Sequence, residues 1–171
     1  EIDNYMKENT CEFWEAVIRE EARDSQQPEM DIVNRMTQMY RAMKEADEAY
    51  DDTLTSHSGL SGKNGKKMAD YAATHKCMCG EFGGAVMARA IKMAESNACM
   101  KRIVAAPTAG SCGVVPAILI TYERMTNTSE NDMVKALFVA AGIGDVIARR
   151  ASISGARGGC QAEIGASSAM A

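Results

Sequence analysis

Arg102–Gly113, RIVAAPTAGSCG, is where the fold is decided. Ile103-Val104-Ala105-Ala106 can pass for a short strand, but Pro107-Thr108-Ala109-Gly110-Ser111 breaks it at once. Gly113 to Met125 then reads as a buried helix, with Pro116 in the first turn, where a missing N–H costs little. A second stretch of the same character is Ala151–Ala166, ASISGARGGCQAEIGA, in which Gly155, Gly158 and Gly159 open a loop and Cys160 falls where a last helix begins. No alternation of strand and helix signals runs along the chain. The expected architecture is therefore all-α, a single-domain helical bundle over residues 1–171 with Gly-, Ala- and Ser-rich loops between helices.

Outward from these loops the periodicity is helical throughout. Phe13, Trp14, Val17 and Ile18 line one face of an amphipathic helix expected from about Asn9 to Ala22. Ser25-Gln26-Gln27-Pro28-Glu29 supplies a start signal for a second helix running to about Asp51. Its Ile32, Met36, Met39, Met43, Ala46 and Tyr50 make a narrow apolar seam, which suits either a hairpin with the first helix or an interface for partner helices. Met68–Ala73 and Gly84–Cys99 are the next helices, the latter Ala-rich. Ser129 is a suitable N-cap, with an acid three residues on, for a helix from Glu130 to Arg150. Within it Gly142 and Gly144 mark close contact with another helix or a short break.

Composition narrows the class. Hydrophobic residues make up 46% and charged residues 25%, the balance of a soluble globular protein, and no apolar run reaches spanning length. A net charge of −4, with Lys66-Lys67 and Arg149-Arg150 standing alone, argues against a nucleic-acid surface. No signal pattern follows Glu1, so a cytoplasmic, thiol-reducing compartment is expected. The six cysteines, scattered over a helical pattern in a chain this long, read as free thiols or metal ligands rather than disulfides. Thirteen methionines give a soft core that also suits packing against partner helices.

Two further segments resemble sites. Thr53–Gly65, TLTSHSGLSGKNG, is a polar loop whose glycines and lysines hint at a phosphate loop, but Lys67 stands where a hydroxyl is needed and no strand precedes it. A nucleotide site is rejected. His75, Cys77 and Cys79 place three soft-metal ligands together without a second ligand pair, so free thiols are the simpler reading beside a zinc-stabilised helical domain.

The two small-residue loops carry the chemistry. Only Gly, Ala and Ser let backbone N–H groups approach a small ligand closely, and each loop enters an apolar helix. Cys160, at the positive end of a helix dipole, is the best-placed thiolate ligand in the chain.

Both segments resemble the signature segments of the alpha chain, or catalytic domain, of bacterial iron–sulfur L-serine dehydratases. Weaker similarity extends from about Thr10 through Ser56–Gly62 and Ala94-Glu95-Ser96-Asn97 to the last residue. The resemblance implies an L-serine ammonia-lyase that yields pyruvate and ammonia, with a [4Fe–4S] cluster as Lewis acid taking the leaving hydroxide and Cys160 among its three cysteine ligands. Thr108, Ala109, Gly110 and Ser111, with Ser152 and Ser154, are then the candidate grip on the substrate carboxylate, and His57 and Ser58 either face the active site or form a surface turn. Cys112 is a packed thiol, and the catalytic base is unassigned. A beta chain of the same enzyme and a homo-oligomer are the implied partners. The family's other two cluster cysteines lie in a continuation past Ala171, so the expectation is a truncated catalytic chain, without cluster and without activity alone. The competing expectation is a helical interaction module without catalysis.

Overall fold

The computed structural model describes residues 6, 10–74 and 76–171. Among the described residues seven α-helices follow one another: α1 (Phe13–Ser25), α2 (Glu29–Glu48), α3 (Asn64–Ala72), α4 (Gly80–Ala98), α5 (Val114–Thr126), α6 (Glu130–Arg150) and α7 (Gly155–Met170), with a 3-10 turn at Ala109–Ser111 before α5. No strand forms among the described residues, and the all-α bundle expected from the periodicity is the architecture.

The helix ends follow local chemistry. α1 begins at Phe13 rather than near Asn9, which lies outside the described residues, because Glu12 and Glu15 close a reciprocal capping box. The Glu12 side chain takes the amide at the third helical position, and its own N–H donates to Glu15 Oε2 at 2.8 Å. α2 starts directly after Pro28 and stops at Glu48, leaving Tyr50 beyond the helix. α6 spans the expected Glu130–Arg150, with the Ser129 hydroxyl accepting from the Asp132 N–H at 3.2 Å. Lys63, in the left-handed conformation, turns the loop into α3 earlier than Met68, and α4 likewise starts before Gly84.

The core sits where α1, α2, α5 and α6 meet. Ile18, Ile32, Tyr40, Met43, Val115, Leu119, Ile120, Met133, Val134, Leu137 and Phe138 form one buried cluster. Half of the six-residue seam is thus spent inside this chain: Ile32, Met43 and Ala46 are buried, whereas Met39 is 48% exposed. Tyr40, which that seam omits, is fully buried. Burial and the adjacent Glu123 carboxylate raise its pKa. A smaller cluster joins Ala46, Met93 and Cys112.

Small residues set the helix spacings. A Cβ at Gly142 would stand 2.6 Å from Val17 Cγ2 and 2.9 Å from the Phe13 ring, so this glycine lets α1 lie close on an unbroken α6. At Gly144 the neighbour is Met170 of α7. Gly113 does the same for the entry into α5: its Cβ would lie 2.6 Å from the Ala90 carbonyl oxygen of α4. α3 packs on α4 through Gly65, above which the Lys92 backbone leaves no room for a methyl.

Candidate active-site loops

The first loop leaves the core in an extended run, turns at the cis Ala106–Pro107 peptide and closes into the 3-10 turn. Ser111 is buried with its hydroxyl directed into the loop, 3.1 Å from Thr108 Oγ1 and within 3.4 Å of the Ala106 and Thr108 carbonyl oxygens. It braces the turn from within. Thr108 is half-buried, whereas Ala109 and Gly110 are exposed at its tip.

α4 holds this loop and the first residues of α3 at the same time. Asn97 Nδ2 donates to the Ala109 carbonyl at 3.0 Å. Two residues earlier, the Glu95 carboxylate, 4% exposed, accepts from the Asn64 N–H at 2.7 Å, the Gly65 N–H at 3.0 Å and the Tyr50 hydroxyl at 2.8 Å. Burial disfavours its charge, but these donors outweigh burial and hold its pKa below the ordinary carboxylate range. The paired Tyr50 hydroxyl is pushed up to about 12, first by burial and then by its bond to Glu95. The Glu95-Ser96-Asn97 segment is therefore a brace between the start of α3 and the first small-residue loop. His57 and Ser58 are on the surface of the Ser56–Gly62 loop region: both are exposed, and the Ser58 hydroxyl lies 3.1 Å from Ser56 Oγ.

In the second loop Ser152 and Ser154 are half-buried. The Ser152 hydroxyl accepts from the Ser154 N–H at 3.2 Å, and the Ser154 hydroxyl caps α7 by accepting from the Ala156 N–H at 3.2 Å. α7 therefore starts at Gly155, earlier than the expected Cys160. It is interrupted at Gly159, whose φ of 73° and ψ of 177° are not helical. That conformation suits glycine and costs a side chain heavily. Cys160, exposed, opens the continuous helical run that follows.

The two loops meet on one side chain. A Cβ at Gly110 would lie 2.7 Å from Glu163 Oε2, and a Cβ at Gly155 would lie 2.6 Å from the same oxygen. Both glycines are small because the Glu163 carboxylate fills the space a methyl would need. Glu163 follows Cys160 by one helical turn, so the two side chains share a face of α7. The carboxylate is half-buried and has no hydrogen-bond or ion-pair partner among the described residues. Sequence reading placed Glu163 inside a signature segment without a role. Its relation to Gly110 depends on tertiary packing that no local pattern encodes.

The other candidates sit apart. Cys112 is buried in the Met93 cluster, and burial pushes its thiol up to about 11, consistent with a packed, unreactive residue. Cys77 packs against Gly84 and Cys79 against Gly83 of α4, whereas His75 lies outside the described residues. A cleft of about 360 Å³ between α2, α3 and α4 is lined by Asp47, Glu48, Arg89, Lys92 and Arg124 but by no residue of the two loops. Its central charges are paired: Arg89 Nε donates to both Asp47 oxygens at 2.9 Å, and Arg89 Nη1 donates to Thr121 at 2.6 Å.

Both loops and the brace from α4 fall within one family model, Serine dehydratase alpha chain, which matches residues 8–171. The chain belongs to the serine dehydratase alpha chain family. Relatives include the probable L-serine dehydratase, alpha chain, of Bacillus subtilis (strain 168), 35% identical over the whole of this chain and 57% of the relative. The L-serine dehydratase, alpha chain, of Peptoniphilus asaccharolyticus is 34% identical over the whole of this chain and 59% of its own length. L-serine dehydratase 1 of Escherichia coli (strain K12) is 45% identical over 48% of this chain and 18% of the relative. This family member thus spans less than two thirds of the alpha chains it matches end to end. No solved structure matches it.

Whether these residues suit the implied [4Fe–4S] cluster is a question of donors. Such a cluster is held by several cysteine thiolates. Among the described residues no three His, Cys, Asp or Glu side chains gather as a metal site. Cys160 offers one accessible sulfur and Cys112 is shut in the core. These residues alone do not fit the cluster. No helix among the described residues is long and apolar enough to cross a membrane.

Proposed function

We propose that this chain is the signature-bearing part of an L-serine ammonia-lyase that converts L-serine to pyruvate and ammonia. The observation that carries the reading is the meeting of the two family segments, distant in sequence, on Glu163 beside Cys160. Ala109 and Gly110 stand exposed at the tip of the first loop, and small residues there suit a small polar ligand.

In this reading the exposed Ala109 and Gly110 amides and the Thr108 hydroxyl grip the substrate carboxylate from one side, with Ser152 and Ser154 from the other. Ser111 contributes by holding Thr108 in place. The reaction removes the α-proton and the β-hydroxyl of L-serine, and the aminoacrylate released hydrolyses to pyruvate and ammonia. Cys160 is the one ligand this chain would lend to a [4Fe–4S] cluster. Because the described residues do not complete that ligand set, the 171 residues alone are expected to be inactive. A beta chain or a further copy of the alpha chain would stand beside it in the working enzyme, in the cytoplasm.

The test is anaerobic release of pyruvate and ammonia from L-serine by the complete enzyme, with iron measured per chain. Cys160→Ser should lower both iron content and turnover. A variant that keeps both would favour the helical interaction module instead. Iron and sulfide reconstitution of the 171 residues alone should leave them without stoichiometric cluster iron. Full loading would mean that cysteines such as Cys77 and Cys79 complete the site.

A further inference from the structure

We infer that Glu163 is the receptor for the α-ammonium group of the substrate, and so the residue that makes the site select an amino acid over the corresponding hydroxy acid. The assignment rests on the L-serine reading above and deepens it. L-serine is a zwitterion whose three polar groups make different demands. Its carboxylate and hydroxyl are served by N–H and O–H groups, the kind that the exposed tip at Ala109 and Gly110 and the Thr108 hydroxyl supply. Its ammonium carries three donors and no acceptor, and it needs an anionic or carbonyl acceptor.

Glu163 meets that demand on three counts. Its Oε2 occupies the space where a Cβ of either Gly110 or Gly155 would stand, so this carboxylate lies against both loops at once. It is half-buried, where an unpaired charge is costly and a pairing charge is worth more than at an open surface. Among the described residues it has no cation and no hydrogen-bond donor, although the surrounding helices pair most of their buried carboxylates, as Asp47 with Arg89 and Glu95 with two amides and Tyr50. A carboxylate kept free of protein cations at the junction of two ligand-sized loops is ready for a cation from the ligand. The glycines then have a second purpose. Any side chain at Gly110 or Gly155 would displace Oε2 from the place where both loops can present a substrate to it.

The experiment compares the complete enzyme with its Glu163→Gln and Glu163→Asp variants. Steady-state kinetics with L-serine are read beside inhibition by 3-hydroxypropionate, which is serine without its ammonium. Losing a charge-assisted hydrogen bond to a charged partner should raise the KM for L-serine by about tenfold to a hundredfold in Glu163→Gln. The inhibition constant of 3-hydroxypropionate should stay level or fall, since the anion no longer faces a carboxylate. Glu163→Asp should recover part of the KM, and it carries the same comparison if Glu163→Gln fails to fold. An unchanged KM, an equal weakening of both ligands, or a loss confined to kcat would overturn the assignment. Unaltered enzyme that turns over no L-serine would overturn the dehydratase reading itself, whereas active enzyme with an indifferent Glu163→Gln variant would overturn only this one.

Discussion

Glu95 and Glu163 are both carboxylates near the loops, and they differ in what surrounds them. Glu95 is buried and saturated with donors, so it acts as a structural anion at the start of α3. Its lowered pKa fixes the sign of its contribution to stability. The contribution is complete above the ordinary glutamate pKa and is lost as pH falls through the lower folded-state value. Glu95→Gln should therefore cost about 1–3 kcal/mol at neutral pH. Urea midpoints of variant and parent should converge in acid, and a constant gap across the titration would refute the charge argument. Gly110→Ala tests the other carboxylate. The atom it would strike is the end of a flexible Glu163 side chain, so the fold should change by no more than about 1 kcal/mol. In the complete enzyme the KM for L-serine should nevertheless rise. A variant that unfolds, or that keeps its KM, would mean that Gly110 serves packing instead.

Among the elements, legibility followed the range of the interaction. α6 was readable to the residue because Ser129 and Asp132 are a local cap, and a local cap is written in neighbouring letters. α1 was misplaced at its start because Glu12 and Glu15 form a box from two glutamates, a rarer pairing than one led by Ser or Thr. The short-strand alternative at Ile103–Ala106 fell to the turn that follows it, as the proline and small residues implied. The two loops were legible as candidates from composition, but their convergence was not, since it depends on how α7 packs on the 3-10 turn and on α5. Glycines record such packing without naming the partner. Gly113 has ordinary helical backbone angles, so alanine there meets no backbone strain, and only the approach of α4 opposes it. Because the obstacle is the Ala90 backbone rather than a movable side chain, Gly113→Ala should cost about 1–3 kcal/mol despite its better helix propensity. Thermal unfolding measures this directly. A neutral or stabilising effect would show that α4 and α5 can part there freely.

For the whole molecule, the distribution of thiols separates surface from core. Cys79 and Cys160 are exposed, Cys11, Cys77 and Cys99 are partly covered, and Cys112 is closed between α2, α4 and the start of α5. Reaction with a disulfide reagent needs both access and the thiolate, and Cys112 lacks both, because burial pushes its pKa up to about 11. Its labelling must wait for an opening of the bundle that separates Ala46 and Met93 from the first loop, an event close to global unfolding if the helices move together. Mass-spectrometric mapping of native protein at neutral pH should find Cys160 and Cys79 labelled first and Cys112 last. Cys112 labelling should accelerate with urea in step with loss of helical circular dichroism. Were Cys112 to react as fast as Cys160 in native protein, the region under the first loop would open independently of the rest, and the brace from Glu95 and Asn97 would not be holding it. If its labelling instead tracks global unfolding, the loop stands on a core as rigid as the bundle itself, which is what placing a small zwitterion against Glu163 requires.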